Sequence, residues 1–114
     1  MINLLDFTAN VLSNKLPQNF DITRESPRYT NDVLQQLTIT RKIIFNNETL
    51  INSYATIIFR NNKLESMSLS SATDNPINMQ SIQEITEWEQ ILHIIREALF
   101  AYDDYQKAYR QNNQ

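Results

Sequence analysis

The chain reads as an α+β domain: an N-terminal helix, a three- to four-stranded antiparallel meander, and a long C-terminal amphipathic helix packed on one sheet face. Three observations predict this. From about residue 81 to 110, apolar residues recur at helical spacing: Ile85, Trp88, Ile91, Leu92, Ile95, Ala98, Leu99, Tyr102, Tyr105 and Tyr109. Residues 37–69 alternate apolar and polar and are rich in β-branched side chains. The chain has no glycine, so turns that need positive φ must fall on Asn or Asp. The pairs Asn46-Asn47 and Asn61-Asn62 interrupt the alternating region where a meander has to turn.

The first helix is predicted over residues 1–16. Ile2, Leu5, Ala9, Leu12 and Leu16 share one face, and Leu4, Phe7 and Val11 another, so it is expected to be covered on two sides. Pro17 ends it, because the residue before a proline is pushed out of helical geometry. Residues 20–24 place Phe20, Ile22 and Arg24 on one side and read as a short strand. Glu25 to Asp32 carries loop chemistry.

In the meander, Leu37, Ile39, Ile43 and Phe45 are expected to face the core, with Arg41 in register among them. Ile51, Ala55, Ile57 and Phe59 face inward from the next strand, and Met67 and Leu69 from the third. A linker with Asp74-Asn75-Pro76 follows. Two capping boxes then compete for the start of the last helix, Ser81 with Glu84 and Thr86 with Glu89. Begun at either, the helix is roughly 37–45 Å long. Strands of ten residues span only about 33 Å, so the helix should overhang the sheet.

One domain, 1–114, accounts for the whole chain, and a hydrophobic content of 41% is enough for a real core. Absent cysteine removes disulfides and thiolate metal sites. Absent glycine removes phosphate-binding loops, dinucleotide fingerprints and nucleophile elbows. The opening residues lack a basic n-region and no apolar run is long enough for a bilayer, so a cytoplasmic protein without membrane association is expected. No cofactor is expected. The net charge of −3 is unevenly spread. Seven basic and four acidic residues lie between Lys15 and Lys63, against seven acidic residues and one arginine between Asp74 and Asp104.

No catalytic set emerges. His93, the single histidine, falls on the polar helix face beside Glu89, Arg96 and Glu97. A metal needs three or four convergent ligands. Asp103 and Asp104 point about 100° apart on a helix and do not converge. Asn47-Glu48-Thr49 fits a glycosylation acceptor, a pattern without meaning in an unsecreted chain.

The expectation is therefore a non-enzymatic protein-binding module, acting as adaptor, chaperone or inhibitor. Phe100, Tyr102, Tyr105 and Tyr109 would supply contact area, and Glu89, Glu97, Asp103 and Asp104 would steer the helix to a basic surface. One concrete version is an accessory factor encoded by a phage or mobile element, inhibiting a nucleic-acid-binding host protein. A helix stripe wider than one sheet can cover predicts a homodimer. The competing expectation is a single-stranded nucleic-acid-binding sheet using Arg41, Lys42, Tyr54, Arg60 and Lys63. The order helix, meander, long helix resembles in topology export-chaperone-like and cystatin-like binding domains.

Overall fold

Six elements follow one another in the order helix, four strands, helix: α1 (Leu4–Lys15), β1 (Phe20–Glu25), β2 (Leu34–Phe45), β3 (Glu48–Arg60), β4 (Lys63–Ser71) and α2 (Ile82–Asn112). The computed structural model describes residues 1–25, 34–71 and 82–112. The linker around Asp74 and the Ser81 cap lie outside them, as does the loop predicted up to Asp32, which follows β1. The strands form one antiparallel sheet in the order β1-β2-β3-β4. Both helices pack on the same face of it. Among the described residues, no helix is long and apolar enough to cross a membrane.

Each start and turn has a local cause. Asn3 caps α1, its side chain accepting the Asp6 N–H. Asn46, Asn47, Asn61 and Asn62 all have positive φ, between 52° and 63°. Two positive-φ residues in a two-residue hairpin loop match the right-handed twist of the flanking strands. Asparagine has thus replaced glycine in both tight turns. Asn47→Ala should cost about 1–2 kcal/mol, the penalty of a Cβ in this region without a polar side chain. Asn47→Gly should leave the urea midpoint unchanged or slightly raised.

The inner sheet face is built from cross-strand rows. Ile22, Ile39, Ala55 and Leu69 form one, and Leu37, Ile57 and Met67 the next. Leu37, Ile39, Ile57 and Phe59 are fully buried. α1 adds Leu4, Leu5, Ala9 and Leu12, and α2 adds Trp88, Ile91, Ile95, Ala98 and Tyr102. The helices also pack against one another. α1 is therefore the second cover for the α2 stripe, which the width argument for a dimer left out of account. Ile85 and Leu92 sit at the margin of that stripe and stay exposed.

Two bulges modify the register. Arg41 opposes Ser53 while Lys42 opposes Ile51, leaving Asn52 as an extra residue in β3. Ile58 opposes Ser66 while Phe59 opposes Leu64, leaving Glu65 extra in β4. The first bulge turns Ile51 away from the core face expected for it, and Ile51 is exposed.

The same bulge anchors α2. Arg41 Nε donates to Glu87 Oε2 at 2.6 Å, and its Nη1 donates to the Asn52 side-chain oxygen at 2.8 Å. Ser53 Oγ donates to the same Asn52 oxygen and accepts from Trp88 Nε1. At the other end, Asn62 donates to the Tyr102 hydroxyl, and its side-chain oxygen accepts the Leu4 N–H. α2 therefore runs along β3 from the bulge to the second Asn-Asn turn. It begins at Ile82, so Thr86 is not its cap; the Thr86 hydroxyl donates back to the Ile82 carbonyl.

Candidate functional site

At 100° per residue, α2 divides into a core stripe and an outer ridge. Phe100 stands on the ridge, 59% exposed. Glu97, Asp103 and Asp104 lie within one helical turn of it, and all are exposed. Glu89 continues the acidic ridge three turns upstream and is also exposed. Arg96 places its guanidinium 5.8 Å from the centre of the Phe100 ring, a cation–π contact that covers one side of the aromatic. The structure thus brings five of the eight proposed partner-binding residues onto one surface.

The tyrosines do not join them. Tyr102 is 3% exposed and belongs to the core. Its hydroxyl accepts from Asn62 and donates to the Ile2 carbonyl at 3.0 Å. Its ring meets Phe7 edge-on at 5.2 Å. Tyr105 is half-buried, packs on Phe7 and Tyr102, and accepts the Ile2 N–H. The expectation that Tyr102 supplies contact area is therefore corrected: α1 already covers it. Tyr105 is covered in part for the same reason. Tyr109 is 40% exposed but extends the tyrosine row, its ring 6.4 Å from that of Tyr105. It lies about half a turn around the helix from Phe100, so one flat partner does not meet both.

The residues of the nucleic-acid expectation are divided between the two faces of the sheet. Arg41 is buried on the inner face and paired with Glu87, so it is not available to a phosphate. The arginine that lies in register with the core face pairs with an acid of α2. Lys42 pairs with Asp21, and Arg60 with Glu65. Tyr54 is half-buried on the outer face between Thr40 and Ser70. Lys63 is exposed beside the second Asn-Asn turn. Arg60 is seven residues along β3 from Ser53, the partner of Arg41, or about 23 Å. Lys42, Tyr54, Arg60 and Lys63 have the parity of the outer sheet face, and Arg60 opposes Lys63 at one end of it, whereas Arg41 lies on the inner face.

His93 lies in a shallow groove with Lys15, Thr86, Glu89, Gln90 and Ile94. Among the described residues, no three His, Cys, Asp or Glu side chains converge to hold a metal.

One apolar surface was not anticipated. The β2–β3 hairpin projects past the bulge that anchors α2, and Ile44, Phe45, Leu50 and Ile51 are exposed there. The signal was in the sequence. Ile43-Ile44-Phe45 and Leu50-Ile51 are consecutive apolar runs, and a strand with one wet face would alternate.

No protein-family model, curated protein or solved structure matches this chain.

Proposed function

We propose that this chain is a small non-enzymatic protein-binding module that docks on a basic partner through the outer ridge of α2. Phe100 is the anchor. Glu97, Asp103 and Asp104 surround it, and Glu89 extends the acidic track. The observation that carries this reading is a mostly exposed aromatic centred in a run of solvated carboxylates on a long, rigid helix. A buried aromatic anchor supplies interface energy, while the carboxylates raise the encounter rate and select a positive surface. As an inhibitor of a nucleic-acid-binding protein, the ridge would compete with phosphates for the same cations. An accessory factor of a phage or mobile element would use such an inhibitor. Adaptor and chaperone roles use the same contact.

The test is affinity capture from the native host with the wild-type chain and three variants. The wild type should retain a basic protein, and capture should weaken as salt rises. Phe100→Ala should weaken binding by about tenfold or more, as expected of an anchor. Glu97→Gln with Asp103→Asn and Asp104→Asn should flatten the salt dependence. Lys42→Ala with Arg60→Ala should leave capture unchanged. The proposal fails if the sheet variant abolishes capture and the Phe100 variant does not, because the nucleic-acid-binding sheet predicts that pattern.

A further inference from the structure

The hairpin end lies away from the Phe100 ridge, and its chemistry is different. β1 pairs with β2 only as far as Arg41. The next residue, Lys42, donates its N–H to the Asn19 carbonyl at 2.8 Å. Backbone groups alternate sides along a strand. Since Lys42 points its N–H toward β1, Ile44 does the same. Among the described residues, no strand pairs with that edge beyond Lys42. Phe45 points the other way and pairs with Glu48 across the turn. Ile44 therefore offers N–H and C=O on an open edge. Exposed apolar edges of this kind are templates for strand addition.

We propose that the open β2 edge pairs with the same edge of a second copy of this chain, across a two-fold axis that passes beside Ile44. An axis perpendicular to the sheet keeps each side chain on its own face, so only residues of one face can oppose one another. Ile44 then opposes Ile44 of the second copy and Ile43 opposes its Phe45, while Asn19 keeps its place beside Lys42. The two Ile44 residues exchange N–H···O=C bonds. Apolar groups meet apolar groups on both faces of the joined ribbon, and no like charges face each other. A groove of about 400 Å³, lined by Gln18, Asn19, Lys42, Ile43, Ile44 and Thr49, runs beside this edge. It is placed to take the Phe45–Asn46 apex of the other copy.

The area suits such a pair. Ile44 is 80% exposed, Phe45 60%, Ile51 48% and Leu50 43%. At roughly 150–200 Å² for a fully exposed large side chain, Ile44 and Phe45 on the edge strand present about 250 Å² of apolar surface per copy, and Leu50 and Ile51 lie one strand further in. Two copies supply about 500 Å², and with the backbone edge and groove the interface stays below the roughly 1,200 Å² of a stable complex, in the range of transient pairs. The interface is small, so half-dissociation is expected in the micromolar range. A bilayer is a poorer occupant, because insertion would carry Asn46, Asn47 and Glu48 at the apex into hydrocarbon.

The absence of cysteine makes the test direct. In a hydrogen-bonded antiparallel pair the Cα atoms are about 5.5 Å apart, within the reach of a disulfide. Under mild oxidation, Ile44→Cys should form a covalent dimer at least about tenfold faster than Ile51→Cys, because the dyad raises the effective thiol concentration. In sedimentation equilibrium the wild type should pass from one to two chains over the micromolar range. Ile44→Lys, at a solvent-exposed site, should stay a monomer with an unchanged circular dichroism spectrum. A wild-type chain that is monomeric at several hundred micromolar overturns the proposal. So does a dimer in which Ile44→Cys cross-links no faster than Ile51→Cys.

Discussion

Arg41→Ala should lower the stability of the fold by about 3–5 kcal/mol, read as a fall in the urea midpoint, because it leaves Glu87 partly buried without its cation. The Arg41 side chain is 8% exposed and that of Glu87 17%, so water screens the pair weakly. The loss should extend beyond one contact. Arg41 also holds the Asn52 side chain at the bulge, and Asn52 accepts from the serine that receives the Trp88 N–H. Arg41→Met with Glu87→Leu should recover most of the loss, since a well-packed apolar pair can replace a buried ion pair at little cost.

A pH profile checks the same contact independently. Burial pushes the Glu87 carboxyl upward, but hydrogen bonds from Arg41 and Asn19, the Arg41 charge and a hydrogen bond from Gln83 outweigh it, and the group is held below its ordinary value. A carboxyl with a lower pKa in the folded state than in the unfolded state stabilises the fold above the unfolded value. That contribution is lost as pH falls through the folded value. Stability should therefore decline on acidification below about pH 5, and Glu87→Gln should show a shallower decline over the same range.

Tyr102→Ala should cost a further large amount, about 3–5 kcal/mol, as other buried aromatic-to-alanine changes do. Tyr102→Phe separates the ring from the hydroxyl. It keeps the packing on Phe7 and removes two hydrogen bonds, one from Asn62 and one to the Ile2 carbonyl. Its expected cost is about 1–3 kcal/mol. Binding through the α2 ridge should survive Tyr102→Phe, because the hydroxyl faces the N-terminal segment of the same chain. If Tyr102→Phe abolished partner capture while the urea midpoint stayed high, Tyr102 would belong to the binding surface after all.

Much of the fold was legible because the local and global signals agree. With no glycine to absorb positive φ, the Asn pairs marked both hairpin turns. Strand parity placed Leu37, Ile39, Ala55, Ile57 and Phe59 on the core side, where they are buried. What escaped has a shared cause: periodicity assigns a residue to a face but does not say how far along a strand the cover extends. Ile43 and Phe45 have core parity, yet α2 is fixed to the sheet at Ser53 and the hairpin continues beyond that point. The bulge at Asn52 was hidden because a single extra residue leaves the apolar alternation of Ile51, Ala55 and Ile57 intact in the sequence. At the ridge, helical spacing located Phe100 and its acids. The same spacing grouped Tyr102 with them, because the wheel of one helix cannot show that a second helix lies over part of it.

The N-terminal segment is held by residues about a hundred positions downstream: Ile2 bonds with both Tyr102 and Tyr105. During synthesis the meander emerges from the ribosome before α2 does. Its inner rows then wait, with α1 as their cover, until α2 emerges. Contacts of such long sequence separation form late, and a nascent sheet with one open face is exposed to wrong pairings in the interval. A pause in translation before α2 emerges should therefore lower the soluble yield, measured against the same chain translated without the pause, while refolding of the purified polypeptide should not sense it.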